Sequence, residues 1–313
     1  MRILSLFLVL CFCPIGEAMQ RVSSIQETPQ VPYSIGVQTI ESSDLKRNRP
    51  IIIEVWYPTS YIDDLEPQRG APFIHSHPKM PLIVMSHGHR GSRLNHAWLA
   101  IELARQGYCV ASVEHYGNSK ENFNPLLSLK FWDRFKDVSF TIDEILNRFG
   151  SQIDAKRIGF IGYSMGGMTG LGLAGAQARN IKEVVLREYR NVKGFTEEMI
   201  AQVDFSEGER LFRDSRIQAM LLLCPANFVY PPASLKKIQI PVGLVATFHD
   251  EILPHQDHAY PIICHIVPRK IKVIREKISH SFFSPGPEAS HDGGKLHQEV
   301  ADFASDFFRT CLK

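Results

Sequence analysis

Hydrophobic and polar residues follow two different patterns along the middle of the chain. Short continuous apolar runs, such as residues 82–85 and 157–162, predict strands that are covered on both faces. Between them, residues 93–106 and 134–148 carry apolar side chains three or four positions apart, which predicts amphipathic helices. The alternation of strand and helix indicates an α/β domain with a mostly parallel sheet.

The same pattern continues towards both ends of the chain. An early β-rich run that is closed by Pro58 predicts an antiparallel strand. Right-handed crossovers between the parallel strands would place helices on both faces of the sheet. The predicted strands are 51–57, 82–85, 108–114, 157–162, 217–223, 242–247 and 271–275, and the predicted helices are 93–106, 134–148, 167–178 and 296–311.

One segment, residues 180–214, interrupts the alternation. It is highly charged and only weakly amphipathic, which predicts a small helical insertion or cap. Two interpretations remain open at this point. The segment is either a lid over an acyl-binding pocket or a solvent-exposed surface insertion. The lid is a real alternative because loops near active sites often carry specificity.

The N-terminus has the pattern of an export signal. Met1 and Arg2 precede an apolar run, residues 3–13, and the small-x-small pattern at Gly16-Glu17-Ala18 suits signal peptidase. The apolar run is shorter than the roughly 20 residues that span a bilayer. We therefore predict a signal peptide over residues 1–18 and a single domain over 19–313, exported to the periplasm or outside the cell.

Net charge and cysteine positions give further expectations about binding partners and disulfides. The formal net charge of +2 does not favour nucleic acid binding. Beyond the predicted signal, Cys109 and Cys224 lie in apolar runs and are expected to be buried thiols. Cys264 and Cys311 are the better candidates for a disulfide in an oxidising compartment.

The candidate nucleophile lies in Gly162-Tyr163-Ser164-Met165-Gly166, between a predicted strand and a predicted helix. This is the context of a nucleophile elbow, in which a serine is held on a sharp turn. The turn leaves almost no room for side chains two positions before and after the nucleophile, and both positions are glycine. Ser164 is therefore predicted to face the substrate of a serine hydrolase.

Serine is a weak nucleophile at neutral pH and needs a base that a third group orients. Asp250 follows the strand at 242–247, and His280 follows the last predicted strand, which is the order of acid and histidine after such an elbow. Glu251 is the main competitor for the acid. The other candidates for the base are His255, His258, His291 and His297.

Two backbone N–H groups are predicted to stabilise the oxyanion. One belongs to Met165, at the start of the elbow helix, and the other to His89, in the glycine-bearing turn after the strand at 82–85. The His87 side chain is predicted to be a structural hydrogen bonder. Arg134 and Asp137 are expected to begin a helix and to form a local ion pair.

Neither a cofactor nor a metal is predicted. The glycines around Ser164 do not form the G-x-G-x-x-G pattern of dinucleotide-binding proteins. His75 and His77 lie in a predicted loop without an acidic or cysteine partner nearby, which makes a metal site there a weak hypothesis.

Several segments resemble those of the α/β-hydrolase superfamily, in its dienelactone-hydrolase-like branch that includes platelet-activating-factor acetylhydrolases. The segments are Val55-Trp56-Tyr57-Pro58, Met85-Ser86-His87-Gly88, Leu103-Ala104-Arg105-Gln106-Gly107-Tyr108, Ala111-Ser112-Val113-Glu114-His115 with Ser119, the elbow, and Ser279-His280-Ser281-Phe282-Phe283. The resemblance implies the α/β-hydrolase fold, the triad Ser164, Asp250 and His280, and the oxyanion donors Met165 and His89. Mammalian acetylhydrolases have His-Ser-Phe where this elbow has Tyr163-Ser164-Met165.

The leading hypothesis is thus an exported serine hydrolase that cleaves short-acyl or acetylhydrolase-like carboxylic esters through an acyl-enzyme. A lipase or polyester hydrolase, an amidase on the same fold and a catalytically silent secreted binding protein remain alternatives. The expected partner is a small-molecule or lipid ester. A transient contact of residues 180–214 with a lipid surface is a further hypothesis.

Overall fold

The apolar runs assemble into one twisted sheet in the computed structural model. The structure describes residues 33–60, 66–190, 192–267, 269–285 and 294–313, so the predicted signal peptide lies outside the described residues. The strands are β1 (Ser34–Asp44), β2 (Arg49–Thr59), β3 (Gln68–Arg69), β4 (Met80–Ser86), β5 (Cys109–Glu114), β6 (Ile153–Tyr163), β7 (Ile217–Leu223), β8 (Val242–Thr247) and β9 (Arg269–Ile274).

The sheet is mostly parallel, as predicted. Its order is β3-β1-β2-β5-β4-β6-β7-β8-β9. Strands β1 and β2 form an antiparallel pair, and β2 also runs antiparallel to β5. From β5 to β9 all neighbours are parallel. Because parallel strands end at the same edge, the loops after β4, β6, β8 and β9 meet there.

Helices cover both faces of this sheet. They are α1 (Ala97–Arg105), α2 (Pro125–Leu129), α3 (Asp133–Phe149), α4 (Met165–Leu173), α5 (Ile181–Tyr189), α6 (Glu197–Ala201), α7 (Pro232–Leu235), α8 (Ala259–His265) and α9 (Gly294–Cys311), and a 3₁₀ turn spans His280–Phe283. Two hydrophobic clusters result, one containing α1 and α9 and the other containing α3 and the insertion. The predicted α/β-hydrolase architecture is confirmed. Among the described residues, no helix is long and apolar enough to cross a membrane.

The prediction missed several elements for identifiable reasons. Strand β1 alternates buried and exposed side chains only over part of its length, so its polar residues hide the pattern. Helices α2 and α7 are single turns that begin with Pro125 and Pro232, and α8 contains Pro261. Proline suits the first turn of a helix, but in the sequence it indicates a loop. The predicted helix 167–178 ends early, at Leu173.

Candidate active site

Ser164 occupies the turn between β6 and α4. Its backbone has φ 54° and ψ −117°, a conformation that is strained for a residue with a side chain. A Cβ atom at Gly162 would collide with the carbonyl oxygen of Gly166, and one at Gly166 would collide with that of Ser86. Both glycines are therefore required by close backbone approach, and the turn between them holds Ser164 half-buried at the carboxyl edge of the sheet.

Asp250 and His280 meet at the same edge, beyond the ends of β8 and β9. His280 Nδ1 and Asp250 Oδ2 are 2.6 Å apart, and both side chains are buried. The other carboxylate oxygen of Asp250 accepts the backbone N–H groups of Ile252, at 3.0 Å, and Leu253, at 2.7 Å. These bonds fix the carboxylate, so that it can hold the imidazole in one tautomer and orientation.

Two further contacts hold the backbone of His280. The backbone N–H of His280 donates to the Glu251 carboxylate, with distances of 2.9 and 3.2 Å to its two oxygens. The Tyr163 hydroxyl donates to the His280 carbonyl oxygen at 2.8 Å, and the two rings lie 5.0 Å apart. Asp250 thus contacts the imidazole, whereas Glu251 contacts the main chain of the same residue.

The segment after His280 is anchored on helices α1 and α9. Trp98 Nε1 donates to the carbonyl oxygen of Phe283 at 3.3 Å, and His297 Nε2 lies 3.1 Å from the carbonyl oxygen of Phe282. The rings of Trp98 and His297 stack with their centroids 4.1 Å apart. His297 is therefore part of the support for this segment.

The other alternative histidines have separate partners. His258 Nδ1 accepts the backbone N–H of Asn227 at 3.1 Å, and the His255 ring packs against Phe248. His291 lies outside the described residues.

The side chain of Ser164 faces the loop that follows β4. A Cβ atom built at Gly88 would lie 3.2 Å from Ser164 Cβ, so this loop passes directly beside the candidate nucleophile. Within the described part of the chain, Ser164 Oγ makes no hydrogen bond, including none to His280. Such bonds are often long before substrate binds and shorten in the complex.

Met165 and His89 lie on the two elements that flank Ser164. Met165 is the first residue of α4, where the N–H groups of a helix have no partner within the helix. Across the described residues, the backbone N–H groups of Met165 and His89 donate to no protein acceptor. Burial, together with the nearby charges of Arg134 and Arg90, lowers the pKa of the His89 side chain to about 4. This imidazole is therefore neutral at physiological pH.

A buried thiol adjoins the acid and the histidine. One possible ligand atom each of Cys224, Asp250 and His280 lies within 4.8 Å of the others, a donor set that zinc accepts in proteins. The separation of 2.6 Å between Asp250 and His280 is that of a hydrogen bond, and it leaves no room for an ion between the two groups. Burial raises the pKa of Cys224, so the thiol stays protonated. The geometry is therefore that of a hydrogen-bonded pair with a neutral thiol beside it.

A second group of the same three residue types lies behind the loop after β4. Ser86 Oγ is 2.8 Å from His115 Nε2, and His115 Nδ1 is 3.0 Å from Asp137 Oδ2. All three side chains are buried. Burial and the charge of Arg134 lower the pKa of His115 to about 3, so its ring is neutral. Sequence reasoning did not identify this second Ser-His-Asp chain.

The expected local ion pair between Arg134 and Asp137 is not formed. Asp137 instead bonds Arg49 with both carboxylate oxygens, at 2.7 and 2.8 Å, and Arg47 at 2.8 Å. Arg134 does not contact this carboxylate and, among the described residues, bonds only uncharged groups, which include Ser86 Oγ. The two residues share the buried face of α3 with Val138, Thr141 and Ile145, since they lie at helical spacing from these residues. Charges on an apolar face were the signal that could have revealed a buried network.

His87 is a structural hydrogen bonder, as predicted. Its Nδ1 lies 2.7 Å from the carbonyl oxygen of Gly88, and its Nε2 accepts the backbone N–H of His115 at 3.2 Å. A neutral ring protonated on Nδ1 satisfies both contacts. Burial holds the pKa of His87 well below its ordinary value, which is consistent with that neutral form.

The insertion packs against the elbow helix. Ile181, Val185, Phe195 and Ile200 are buried in the cluster that also contains Met165. A small cavity of about 30 Å³ lies between α4 and α5. Its lining is mostly apolar and consists of Ser128, Leu129, Phe131, Met165, Met168, Val184, Val185, Glu188, Tyr189, Phe228 and Val229. A larger cleft of about 520 Å³ lies between the β1–β2 turn and α3, and its lining includes none of the predicted site residues.

The cysteines do not pair as the sequence suggested. Cys264 is exposed, Cys311 is half-buried, and both are free thiols, as are the buried Cys109 and Cys224. The hypothesis of a Cys264–Cys311 disulfide is therefore wrong for this structure. Cys264 lies in α8 and Cys311 ends α9, and each belongs to a separate helix of the fold.

Two family models match parts of the sequence. The family described as platelet-activating factor acetylhydrolase, isoform II, matches residues 6–123. The alpha/beta hydrolase fold family matches residues 81–221, a stretch that contains the elbow and the loop after β4. These findings agree with the resemblance that the motifs indicate.

Two known proteins are similar to this chain. YitV of Bacillus subtilis (strain 168), which is named as an esterase, is 32% identical over 114 residues. That match spans 33% of this chain and 45% of YitV, less than half of its length. The solved structure of a ferulic acid esterase from Streptomyces cinnamoneus superposes with a TM-score of 0.63 at 19% identity, covering 91% of this chain and 92% of the other. The chain therefore has the α/β-hydrolase fold, and its sequence is similar to the platelet-activating-factor acetylhydrolase-like branch.

Proposed function

We propose that this α/β-hydrolase is an exported esterase that cleaves carboxylic esters with Ser164 as nucleophile, His280 as base and Asp250 as acid. The observation that carries the proposal is the buried Asp250–His280 pair, 2.6 Å apart, at the sheet edge where the strained elbow holds Ser164. The similarity to a protein named as an esterase and to an acetylhydrolase family model supports the same class.

The proposed reaction follows from the chemistry of these groups. His280 removes the proton from Ser164 Oγ as this oxygen attacks the ester carbonyl carbon, and the carbonyl oxygen becomes an oxyanion. The N–H groups of Met165 and His89 donate to the oxyanion, and each such donor contributes roughly 3 to 4 kcal/mol in other hydrolases. His280 then protonates the leaving alcohol. Water, activated by the same imidazole, hydrolyses the acyl-enzyme and restores Ser164.

The contacts of Asp250 and Glu251 support different roles for the two acids. Asp250 accepts from the imidazole and stabilises the positive charge that His280 acquires during the reaction. Glu251 accepts from the backbone N–H of His280 and positions the residue. Asp250 is therefore the proposed member of the triad.

The cavity beside Met165 is the proposed acyl pocket, and α5 of the insertion is its cap. Its volume of about 30 Å³ holds roughly two water molecules. A space of this size suits an acyl group as small as acetyl better than a long acyl chain. We therefore propose short-acyl esters, of small molecules or of lipids, as the substrate class.

Hydrolysis of p-nitrophenyl esters from acetate to palmitate tests the proposal, with the protein beginning at Met19. We expect the highest kcat/KM for acetate and a steady decrease with chain length. Ser164→Ala and His280→Ala should both abolish the activity while they leave the thermal unfolding midpoint close to that of the wild type. Activity that persists in Ser164→Ala would refute the assignment of the nucleophile, and a maximum at long chains would refute the acyl pocket.

Export is proposed from the signal-like N-terminus alone. Expression of the full-length chain in a bacterial host, followed by N-terminal sequencing of the periplasmic and extracellular fractions, tests it. A mature N-terminus at Met19 is expected. Full-length protein that remains in the cytoplasm would contradict this part of the proposal.

A further inference from the structure

The guanidinium of Arg134 is buried, with the residue only 1% exposed, yet no carboxylate lies within ion-pair distance of it among the described residues. Burial lowers the pKa of Arg134 to about 9, which leaves it charged at neutral pH. A buried charge is unfavourable unless hydrogen bonds compensate for lost hydration. The partners of this guanidinium are therefore informative.

Those partners come from three separate elements. Arg134 Nε donates to Thr169 Oγ1 of α4 at 3.1 Å, and Nη1 donates to Asn118 Oδ1 at 2.9 Å. Nη2 donates to Ser86 Oγ at 3.2 Å and, in a short contact, to the carbonyl oxygen of His87. One planar group thus joins the elbow helix to the loop after β4.

These two elements carry the two proposed oxyanion donors. On α4, Thr169 Oγ1 donates to the carbonyl oxygen of Met165 at 3.1 Å, so Arg134 reaches the first turn of the helix through one hydroxyl. On the loop, the carbonyl group of His87 lies two residues before His89. Donors must lie within about 0.5 Å of the productive geometry to be effective.

We propose that Arg134 is a positioning residue for hydrolysis: its buried guanidinium sets the spacing between the Met165 and His89 N–H groups. This inference rests on the proposed function. The Ser86–His115–Asp137 chain orients Arg134 in turn, because the Ser86 hydroxyl donates to His115 Nε2 and keeps its lone pairs for Nη2. The second Ser-His-Asp group is then a support for the site rather than a site itself.

The positive charge of Arg134 is also expected to stabilise the oxyanion. Arg134 contributes to the lowered pKa of both His87 and His89, so its positive potential extends to the loop beside Ser164. Such a potential favours the negative charge that develops on the substrate oxygen.

Arg134→Lys is the main test. Lysine keeps the charge but is a single point donor, which cannot span Thr169, Asn118 and the His87 carbonyl group together. We expect kcat for p-nitrophenyl acetate to fall by about 10- to 100-fold, less than the loss of a whole oxyanion donor. KM should change by less than about threefold, because the ground-state ester makes little use of the oxyanion donors.

Arg49→Lys is the matched control. Arg49 bonds Asp137 with two nitrogens but contacts neither the loop nor α4. In Arg49→Lys, Asp137 keeps its bond to Arg47 and gains the lysine ammonium as a partner, so the chain from Asp137 to Ser86 is retained. We expect a comparable loss of thermal stability and a kcat within about twofold of the wild type. An equal loss of kcat in both variants would overturn the proposal, because the effect would then reflect general destabilisation.

Thr169→Val is a second variant in case Arg134→Lys does not fold. It removes the link to α4 with little change in volume, and a decrease in kcat of about 3- to 10-fold is expected. In a double-mutant cycle, the two substitutions should be less than multiplicative, since they break one linkage. An unchanged kcat in Thr169→Val would overturn the proposal.

Amide hydrogen exchange separates this inference from the proposed function. Peptides that cover residues 86–91 and 165–169 should exchange faster in Arg134→Lys than in Arg49→Lys, and this readout needs no substrate. Equal exchange rates would overturn the positioning role. A wild type without Ser164-dependent esterase activity would instead refute the proposed function, and the exchange experiment would still decide the role of Arg134.

Discussion

The molecule contains two hydrogen-bonded His-Asp pairs, one proposed to act with Ser164 and one bonded to Ser86, and their surroundings differ. In one, Asp250 bonds His280 beside a half-buried serine at the sheet edge. In the other, Asp137 bonds His115, which bonds Ser86, and all three are sealed in the interior. Residue types and a bonded His-Asp pair therefore do not by themselves distinguish the proposed active site from a structural network.

Two physical differences do distinguish them. Ser86 Oγ is bonded to both His115 and the Arg134 guanidinium, and the residue is buried, so no substrate can reach it. Ser164 Oγ has no hydrogen-bond partner in the described part of the chain, and the residue is half-buried on the elbow turn at the carboxyl edge of the sheet. The environment of each serine, rather than the His-Asp pair near it, is what supports Ser164 as the proposed nucleophile.

The largest expected effect comes from the two serines. Ser164→Ala should reduce kcat by a factor on the order of 10⁵ to 10⁶. Ser86→Ala should keep kcat within about tenfold of the wild type and lower stability by about 1 kcal/mol, because it removes buried hydrogen bonds. Steady-state kinetics with p-nitrophenyl acetate and urea unfolding measure both. A similar loss of activity in folded Ser86→Ala would contradict the structural role of Ser86.

The two aspartates should separate catalysis from stability. Asp250→Asn should reduce kcat by about 10⁴-fold with little change in stability, since it disturbs the tautomer of His280. Asp137→Asn leaves Arg47 and Arg49 without their shared buried carboxylate and should lower the free energy of unfolding by about 3 to 5 kcal/mol. Kinetics and urea unfolding on both variants would show whether the separation holds, and the reverse pattern would contradict it.

The buried histidines predict acid lability. His115 and His96 have pKa values of about 3 in the folded protein, mainly because of burial, and the ordinary value is 6.5. The unfolded chain therefore binds more protons below pH 6.5. Stability is complete above that pH and is lost as the pH falls towards 3. His115 and His96 alone contribute about 3 kcal/mol per pH unit, and His87 and His89, whose pKa values are also lowered, make the slope steeper. Urea unfolding between pH 7.5 and 5 measures this slope, and a flat profile would contradict it.

The smallest expected effect on kcat concerns the groups that accept the backbone N–H of His280 and of His115. The N–H of His280 is held by the Glu251 carboxylate, and that of His115 is held by the neutral His87 ring. Glu251→Gln keeps the size of the side chain but replaces a charged acceptor with a neutral one. We expect kcat to fall by about 3- to 10-fold, which corresponds to an activation free energy raised by about 1 kcal/mol. An unchanged kcat would show that Asp250 alone positions His280.

Much of this architecture could be predicted because it depends on local patterns. Continuous apolar runs predicted β4 to β9 within a few residues, since strands covered on both faces need such runs. The elbow was recognisable because two glycines must allow close backbone approach on either side of Ser164. Chain order pointed to His280 as the base and to Asp250, with Glu251 as its competitor, as the acid, since the ends of parallel strands meet at one edge.

The sequence by itself determined the strand and helix alternation, the elbow and the set of residues that could carry the chemistry. Tertiary structure alone decided which of two neighbouring acids contacts the imidazole of His280, and it brought Arg134 to three distant elements instead of to Asp137. It also buried Ser86 in a hydrogen-bond network and left Cys264 and Cys311 as free thiols. Local propensities act over a few residues, whereas burial and side-chain partners depend on segments far apart in the chain, and no local pattern encodes which of them will meet.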